Sequence, residues 1–275
     1  MPKVNLRISG GDASVHYDVT GSGPGLLLIH GTGATREQWA PLVEAVRDRF
    51  TVVAPDYSGS GLTTDHGGAL TVEDLAAEML AAASDAGLDR FHVVGHSLGA
   101  AVAAHLAGTR PEKVASLVLH AGWVRTDARM DAEFRLWLEV LDAAPGLFAR
   151  MLPLMAFGTR YWSAADAASN EAVVAALAAN LAPGVARQTE VDRTVDLRAV
   201  LPAITAPTLV LASAQDRLIP PAQQRELLAR IPRTRYAEVE AGHGAHAEHP
   251  EAFWDLVTAF LDGQPSAVPQ AAPTR

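Results

Sequence analysis

Gly95-His96-Ser97-Leu98-Gly99 is the stretch on which the fold turns. It follows an apolar, β-branched run, Phe91-His92-Val93-Val94, and leads into Ala100-Ala101-Val102-Ala103-Ala104-His105-Leu106-Ala107. The implied order is strand, tight turn, buried helix, with Ser97 at the junction. A residue on so sharp a bend occupies strained backbone, and side chains at 95 and 99 would clash across it, so glycine is needed on both sides. The bend lifts a hydroxyl out of the sheet and aims the free N–H groups of the next helix at charge developing beside it. Taken alone, the pentapeptide is also compatible with an ordinary Gly-rich turn. A catalytic reading requires the rest of the chain to supply a base, an acid and an oxyanion site.

Upstream, residues 3–9 and 13–19 alternate apolar and polar around Ser9-Gly10-Gly11-Asp12, the pattern of a β-hairpin. Leu26-Leu27-Leu28-Ile29 and Thr51-Val52-Val53-Ala54 are continuous apolar runs, as expected of strands with helices on both faces. The first ends in His30-Gly31-Thr32-Gly33, where Gly31 lets the backbone turn and the Thr32 N–H faces a reaction centre. In a nucleophile elbow the second oxyanion donor comes from such a loop and the first from the residue after the nucleophile, here Leu98. Helices are expected over 36–47, over 71–86 behind a capping-box-like Thr71-Val72-Glu73-Asp74, over 221–230, and from Pro250 to Leu261. The glycines of Asp56-Tyr57-Ser58-Gly59-Ser60-Gly61 lack the full spacing of a phosphate cradle.

Between a strand ending at His120 and one resuming at Pro207-Thr208-Leu209-Val210-Leu211-Ala212, about 78 residues, 123–200, show helical periodicity and no clear strand. Breaks at Pro145-Gly146, Pro153 and Pro183-Gly184 suggest four helices. This insertion carries three of the five Met and three of the five Trp, including Trp123, Met130, Trp137 and Met155. Most of these must pack the insertion onto the core, but flexible Met and flat aromatics over a cleft also suit an apolar ligand. The expected organisation is therefore a core of residues 1–122 and 201–262, a helical cap at 123–200, and a disordered Pro/Ala/Gln-rich tail at 263–275.

Composition narrows the partners. A net charge of −9 argues against nucleic acid. The absence of cysteine excludes disulfides, thiolate catalysis and Cys-ligated metals. The first residues lack a secretory apolar segment and no stretch is long enough to span a bilayer, so a soluble cytoplasmic protein, monomer or homodimer, is the default. No metal or cofactor is expected: His243, His246 and His249 are spaced three apart, but Gly242, Gly244 and Pro250 break any regular helix that would align them.

Strands alternating with helices imply a mostly parallel sheet, with ligands at the carboxyl ends of its strands. His30-Gly31-Thr32, Ser97, Asp216 and His243 each fall just after an expected strand, so all should meet at one sheet edge. A serine hydroxyl needs a base, and the base needs a carboxylate to hold its tautomer. His243, between two glycines and first after its strand, is favoured over His246 and His249. Asp216 is favoured over Asp127. His120, ending a strand, could touch substrate.

At this point the chain resembles the α/β-hydrolase superfamily, in the helical-cap branch of small serine esterases and C–C bond hydrolases. The resemblance spans roughly residues 3–262 and rests on His30-Gly31-Thr32-Gly33, Asp56-Tyr57-Ser58-Gly59-Ser60-Gly61, Gly95-His96-Ser97-Leu98-Gly99, Asp216 with Pro220, and Gly242-His243 with Glu248 and Pro250. It implies an α/β fold with an eight-stranded, mostly parallel sheet, and a Ser97–His243–Asp216 triad with oxyanion donors at Thr32 and Leu98. It also implies hydrolysis of small to medium apolar carboxylic esters through an acyl-enzyme, with Gly31, His120, Trp123, Met130, Trp137 and Met155 toward the substrate. The same triad serves C–C hydrolysis of ketones, lyase, acyl-transfer and perhydrolase chemistry, and some relatives only bind ligands. Tyr57-Ser58 departs from the family, which often carries proline there; Ser97 rather than aspartate excludes dehalogenase and epoxide-hydrolase chemistry.

Overall fold

The computed structural model describes residues 1–263. Apart from Gly263, the tail expected to be disordered lies outside the described residues. Eight strands, β1 (Lys3–Ile8), β2 (Gly11–Gly21), β3 (Gly25–Ile29), β4 (Thr51–Pro55), β5 (Phe91–His96), β6 (Val114–His120), β7 (Thr208–Ser213) and β8 (Thr234–Val239), form one sheet in the order β1-β2-β4-β3-β5-β6-β7-β8. β1–β2 and β2–β4 are antiparallel and every other pair is parallel. The α/β fold with its mostly parallel eight-stranded sheet is as the sequence implied.

The continuous apolar strands are explained by what covers them. Along β3, Leu27 and Ile29 face a cluster with Leu75, Met79 and Ala101, while Leu26 and Leu28 face one with Trp39, Leu42 and Phe253. All four strand residues are fully buried. Each such side chain contributes about 1.5–3 kcal/mol on burial, so a polar residue at any of them would break the layer. The first layer is built by α2 (Val72–Asp85) and α3 (Leu98–Thr109), the second by α1 (Ala40–Val46) and, near the C-terminus, α11 (Pro250–Leu261). α2 starts at a full capping box: Thr71 accepts from the Asp74 N–H and Asp74 accepts from the Thr71 N–H.

Between β6 and β7 lie five helices rather than four: α4 (Ala128–Ala143), α5 (Pro145–Ala156), α6 (Thr159–Ala164), α7 (Ala167–Asn180) and α8 (Val185–Thr194). Six residues are too few for α6 to show a periodic signal. Pro153 does not end a helix; it sits inside α5, buried. Its missing N–H bond, about 3 kcal/mol in an exposed helix, is offset by tertiary packing. After β7, α9 (Pro221–Glu226) continues as a 3-10 turn, and the short α10 (Ala245–Glu248) precedes α11.

Candidate active site

Ser97 has φ 56° and ψ −123°, between the end of β5 and the start of α3. The neighbouring glycines are required for the reason anticipated. A Cβ on Gly95 would collide with the Gly99 carbonyl, and one on Gly99 with the carbonyls of Ile29 and His30. The strained turn is held by the Ser97 N–H, which donates to His120 O at 2.9 Å on the adjacent strand. Such φ/ψ values persist only where surrounding structure over-determines them.

Asp216 follows β7 and is buried. Its Oδ1 accepts from the N–H groups of Leu218 and Ile219, both at 2.9 Å. Its Oδ2 pairs with His243 Nδ1 at 2.9 Å and accepts from Gln224 Nε2 at 3.2 Å. Nδ1 must carry the proton to meet a carboxylate, which leaves Nε2 of His243 as the lone-pair nitrogen. Ser97 and His243 line the same cavity, and among the described residues the Ser97 hydroxyl makes no hydrogen bond. Nucleophile–base bonds are often open in ligand-free sites and close when substrate binds. Asp127, the rival acid, is engaged elsewhere: it caps α4 through the Met130 N–H at 2.9 Å and takes Gln223 Nε2 at 2.6 Å. His246 makes no contact with a carboxylate of this kind; it packs against His96 at 4.7 Å between ring centres.

The loop after β3 is tied by Gln38, a side chain that carries no motif, to His96 and through that ring to the loop of His243. Its Oε1 accepts from the Gly31 N–H at 3.2 Å, and its Nε2 meets His96 Nδ1 at 3.1 Å. The other His96 nitrogen, Nε2, meets the His243 carbonyl at 3.2 Å. With Nε2 protonated, every member of this chain has a donor and an acceptor. Among the described residues, the N–H groups of Thr32 and Leu98 donate to no protein acceptor. Leu98 offers only backbone, since its side chain is fully buried in the core.

Behind the elbow, His96, His120 and His246 place one ring nitrogen each within 4.8 Å of one another. Burial lowers all three, with repulsion from neighbouring histidines, His243 among them, added; His246 falls to about 4, and His96 and His120 lie well below the usual histidine range. They are neutral at pH 7, the form that ligates metals, and are the described group with which a divalent ion would have to bind. Both His96 nitrogens are already hydrogen-bonded, as is His120 Nε2, to Ser213 Oγ at 3.1 Å.

Over these loops lies a cavity of about 580 Å³. Gly31, Thr32 and Trp137 line it as expected, together with Phe134, Phe148, Leu152, Val173 and Leu177 from the insertion. Four expected substrate contacts do not line it. His120 is fully buried with its ring 4.7 Å from Phe253, because the end of β6 turns it to the α11 side of the sheet. Trp123 and Met130 are buried in the main core, Trp123 donating from Nε1 to Thr126 Oγ1 at 3.0 Å, and Met155 packs against that core's edge. Helical periodicity marks these residues as apolar-facing; which apolar face meets the cavity is set by helix packing.

The sequence reading passed over two residues one helical turn apart on α8. Gln188, fully buried, accepts from the Gly33 N–H at 2.8 Å and donates to Ser58 O at 3.1 Å and Ser60 Oγ at 2.9 Å. Asp192, 1% exposed, lines the cavity and accepts from Thr32 Oγ1 at 2.7 Å. Burial pushes the Asp192 carboxyl up to about 8, only partly countered by that hydroxyl. Their i, i+4 spacing was visible in the sequence, but nothing there showed that this face of α8 lies on the oxyanion loop.

A strained Ser97 at a strand–helix elbow and an Asp216–His243 pair thus lie beside one cavity at the carboxyl edge of the sheet, in a protein that is a hydrolase of the α/β class. The chain belongs to the alpha/beta hydrolase fold family, whose model matches residues 24–250. It is 35% identical over 258 residues to pyrrolizixenacetamide deacetylase of Xenorhabdus hominickii, covering 93% of this chain and 97% of that one. It is 33% identical over 258 residues to the provisionally named carbamate hydrolase RutD of Azorhizobium caulinodans, covering 91% and 96%. Among solved structures, a hydrolase from Pseudomonas aeruginosa PA01 superposes with a TM-score of 0.83 at 28% identity, over 94% of this chain and 98% of the other. Among the described residues no helix is long and apolar enough to cross a membrane.

Proposed function

We propose that this hydrolase is a serine enzyme that cleaves acyl bonds, carboxylic esters and N-acyl amides, of small to medium apolar substrates through an acyl-enzyme. The observation that carries this is the 2.9 Å bond between His243 Nδ1 and Asp216, which orients the free Nε2 in a cavity shared with Ser97. His243 Nε2 takes the Ser97 proton as Oγ attacks the carbonyl carbon. The oxygen gains charge between the N–H groups of Thr32 and Leu98, each donor lowering the barrier by about 3 kcal/mol. Asp216 stabilises the imidazolium, which then protonates the departing alcohol or amine. Water, deprotonated by His243, attacks the acyl-enzyme and releases the carboxylic acid with Ser97 restored.

The amide arm is supported by the name of the Xenorhabdus relative, a deacetylase matching along nearly its whole length. The ester arm is supported by the largely apolar walls of the cavity. Helices 123–200 act in this proposal as a cap over the core of residues 1–122 and 201–262. Ser97→Ala is expected to lower turnover of p-nitrophenyl butyrate by at least about 10⁴-fold. A fluorophosphonate should add one covalent equivalent to the unmodified protein, detected by mass, and none to the variant. Wild-type turnover in Ser97→Ala would remove the mechanism.

A further inference from the structure

Every charged side chain that lines the cavity is acidic. Glu37 lies exposed at the rim and Asp192 lies buried in the wall, and neither Lys nor Arg lines the space. Asp192 is also incompletely satisfied. Oδ2 holds the Thr32 hydroxyl, but Oδ1 has no hydrogen-bond partner among the described residues. Its main chain is not free to move away: the Asp192 carbonyl accepts from Thr126 Oγ1, and one turn earlier Gln188 pins α8 to the oxyanion loop. A buried carboxyl with an orphaned oxygen costs stability unless something satisfies it. Among the described residues no cation forms an ion pair with it.

We propose that Asp192 is the binding residue for a protonated amine on the substrate, so that the preferred acyl compounds are apolar molecules carrying an ammonium group. An ammonium supplies both things the carboxyl lacks, a donor for Oδ1 and a counter-charge. The aromatic rings of Phe134, Trp137 and Phe148 in the same walls suit the alkyl groups and the charge of such a ligand. The acidic lining disfavours carboxylate-bearing substrates. Burial alone favours the protonated carboxyl; as the ammonium binds, Asp192 releases its proton to solvent and pairs with the cation as a carboxylate. This inference rests on the cavity being the acyl-hydrolysis site, and it adds the class of substrate.

Two measurements separate its failure from failure of the triad. In the first, matched esters differ only in nitrogen against carbon: 2-(dimethylamino)ethyl butanoate against 3-methylbutyl butanoate, and ethyl 4-(dimethylamino)butanoate against ethyl 5-methylhexanoate. The wild type should favour the amine in at least one pair by about 10-fold or more in kcat/KM, the worth of a charge-assisted hydrogen bond. Asp192→Asn should bring that ratio to one or below. The ratio is read within each protein, so a general loss through Thr32 cancels. In the second, binding of 3-phenylpropylamine and 3-phenylpropanol to the wild type is compared by calorimetry, with the amine expected to bind about 10-fold tighter. Ratios near one in both ester pairs, or equal binding of amine and alcohol, would overturn the proposal. If no ester is hydrolysed, the triad reading fails, and the calorimetry still decides the role of Asp192 without needing any variant to fold.

Discussion

Asp216 and Asp192 are buried carboxyls beside one cavity, and the molecule treats them in opposite ways. Asp216, on the loop after β7, receives four donors: two backbone N–H groups, Gln224 and His243. Asp192, on α8 of the insertion, receives one, the Thr32 hydroxyl. Four donors over two oxygens leave the Asp216 carboxyl fully partnered by the protein itself. One donor leaves Oδ1 of Asp192 without a hydrogen-bond partner among the described residues. The sheet edge thus holds the reacting groups rigid, while the insertion supplies apolar walls and one unfinished polar contact. Under the two proposals above, reaction type belongs to the first region and substrate choice to the second.

The largest effect expected from this contrast lies at the sheet edge. Asp216→Asn should cut kcat by about 10³–10⁴-fold, because an amide in that place favours the wrong tautomer of His243. Asp127→Asn should cost far less, since Asp127 serves α4 and Gln223. Steady-state kinetics of the two variants settles the assignment, and the reverse ranking would move the acid to the loop after β6.

A smaller effect tests whether the two regions touch through the oxyanion loop. Gln188→Ala frees the Gly33 N–H and loosens the residue beside Thr32. An expected fall of about 10-fold in kcat, with KM nearly unchanged, would mark Gln188 as positioning that loop. A lowered melting temperature with kcat intact would confine it to holding α8 in place.

The smallest effect concerns stability and pH. Burial raises Asp192 from 3.8 to about 8 and Glu78 from 4.5 to about 7, so the folded state holds these protons more tightly than the unfolded chain. Their contribution is fully present below about pH 4 and is lost as pH rises toward 7–8. The buried His96, His120 and His246 act in the opposite sense. Burial lowers them, so their contribution is present above pH 6.5 and is lost as pH falls below that, for His246 through about 4. Melting temperature should therefore peak at intermediate pH. Asp192→Asn should flatten the alkaline side of that curve, measured by thermal melts from pH 5 to 9, and an unchanged alkaline slope would mean that Asp192 is ionised in the folded protein.

The elbow glycines, the apolar strands and the order of Ser97, Asp216 and His243 were readable because each rests on a local rule. A turn needs glycine, a covered strand needs an unbroken apolar run, and a residue just past such a strand lies at the sheet edge. Gln38, Gln224, Gln188 and Asp192 obey no such rule. Each polar side chain matters for one partner, and that partner is often distant in the chain; Thr32 and Asp192 are 160 residues apart. Trp123, Met130 and Met155 show the same limit from the apolar side. Periodicity identified them as inward-facing, but an insertion packed between a core and a cavity has two inward directions.

The amino-acid sequence alone determined the layered sheet, the bend at Ser97 and the placing of Asp216 and His243 just after their strands, because backbone sterics and hydrophobic period act over a few residues. Tertiary structure alone decided which aromatics wall the cavity, that Asp127 caps a helix and pairs with Gln223, and that a buried carboxyl on α8 holds the Thr32 hydroxyl with one oxygen while the other lacks a partner among the described residues. Those outcomes depend on where five helices settle over the sheet, a sum of many weak contacts between distant parts of the chain.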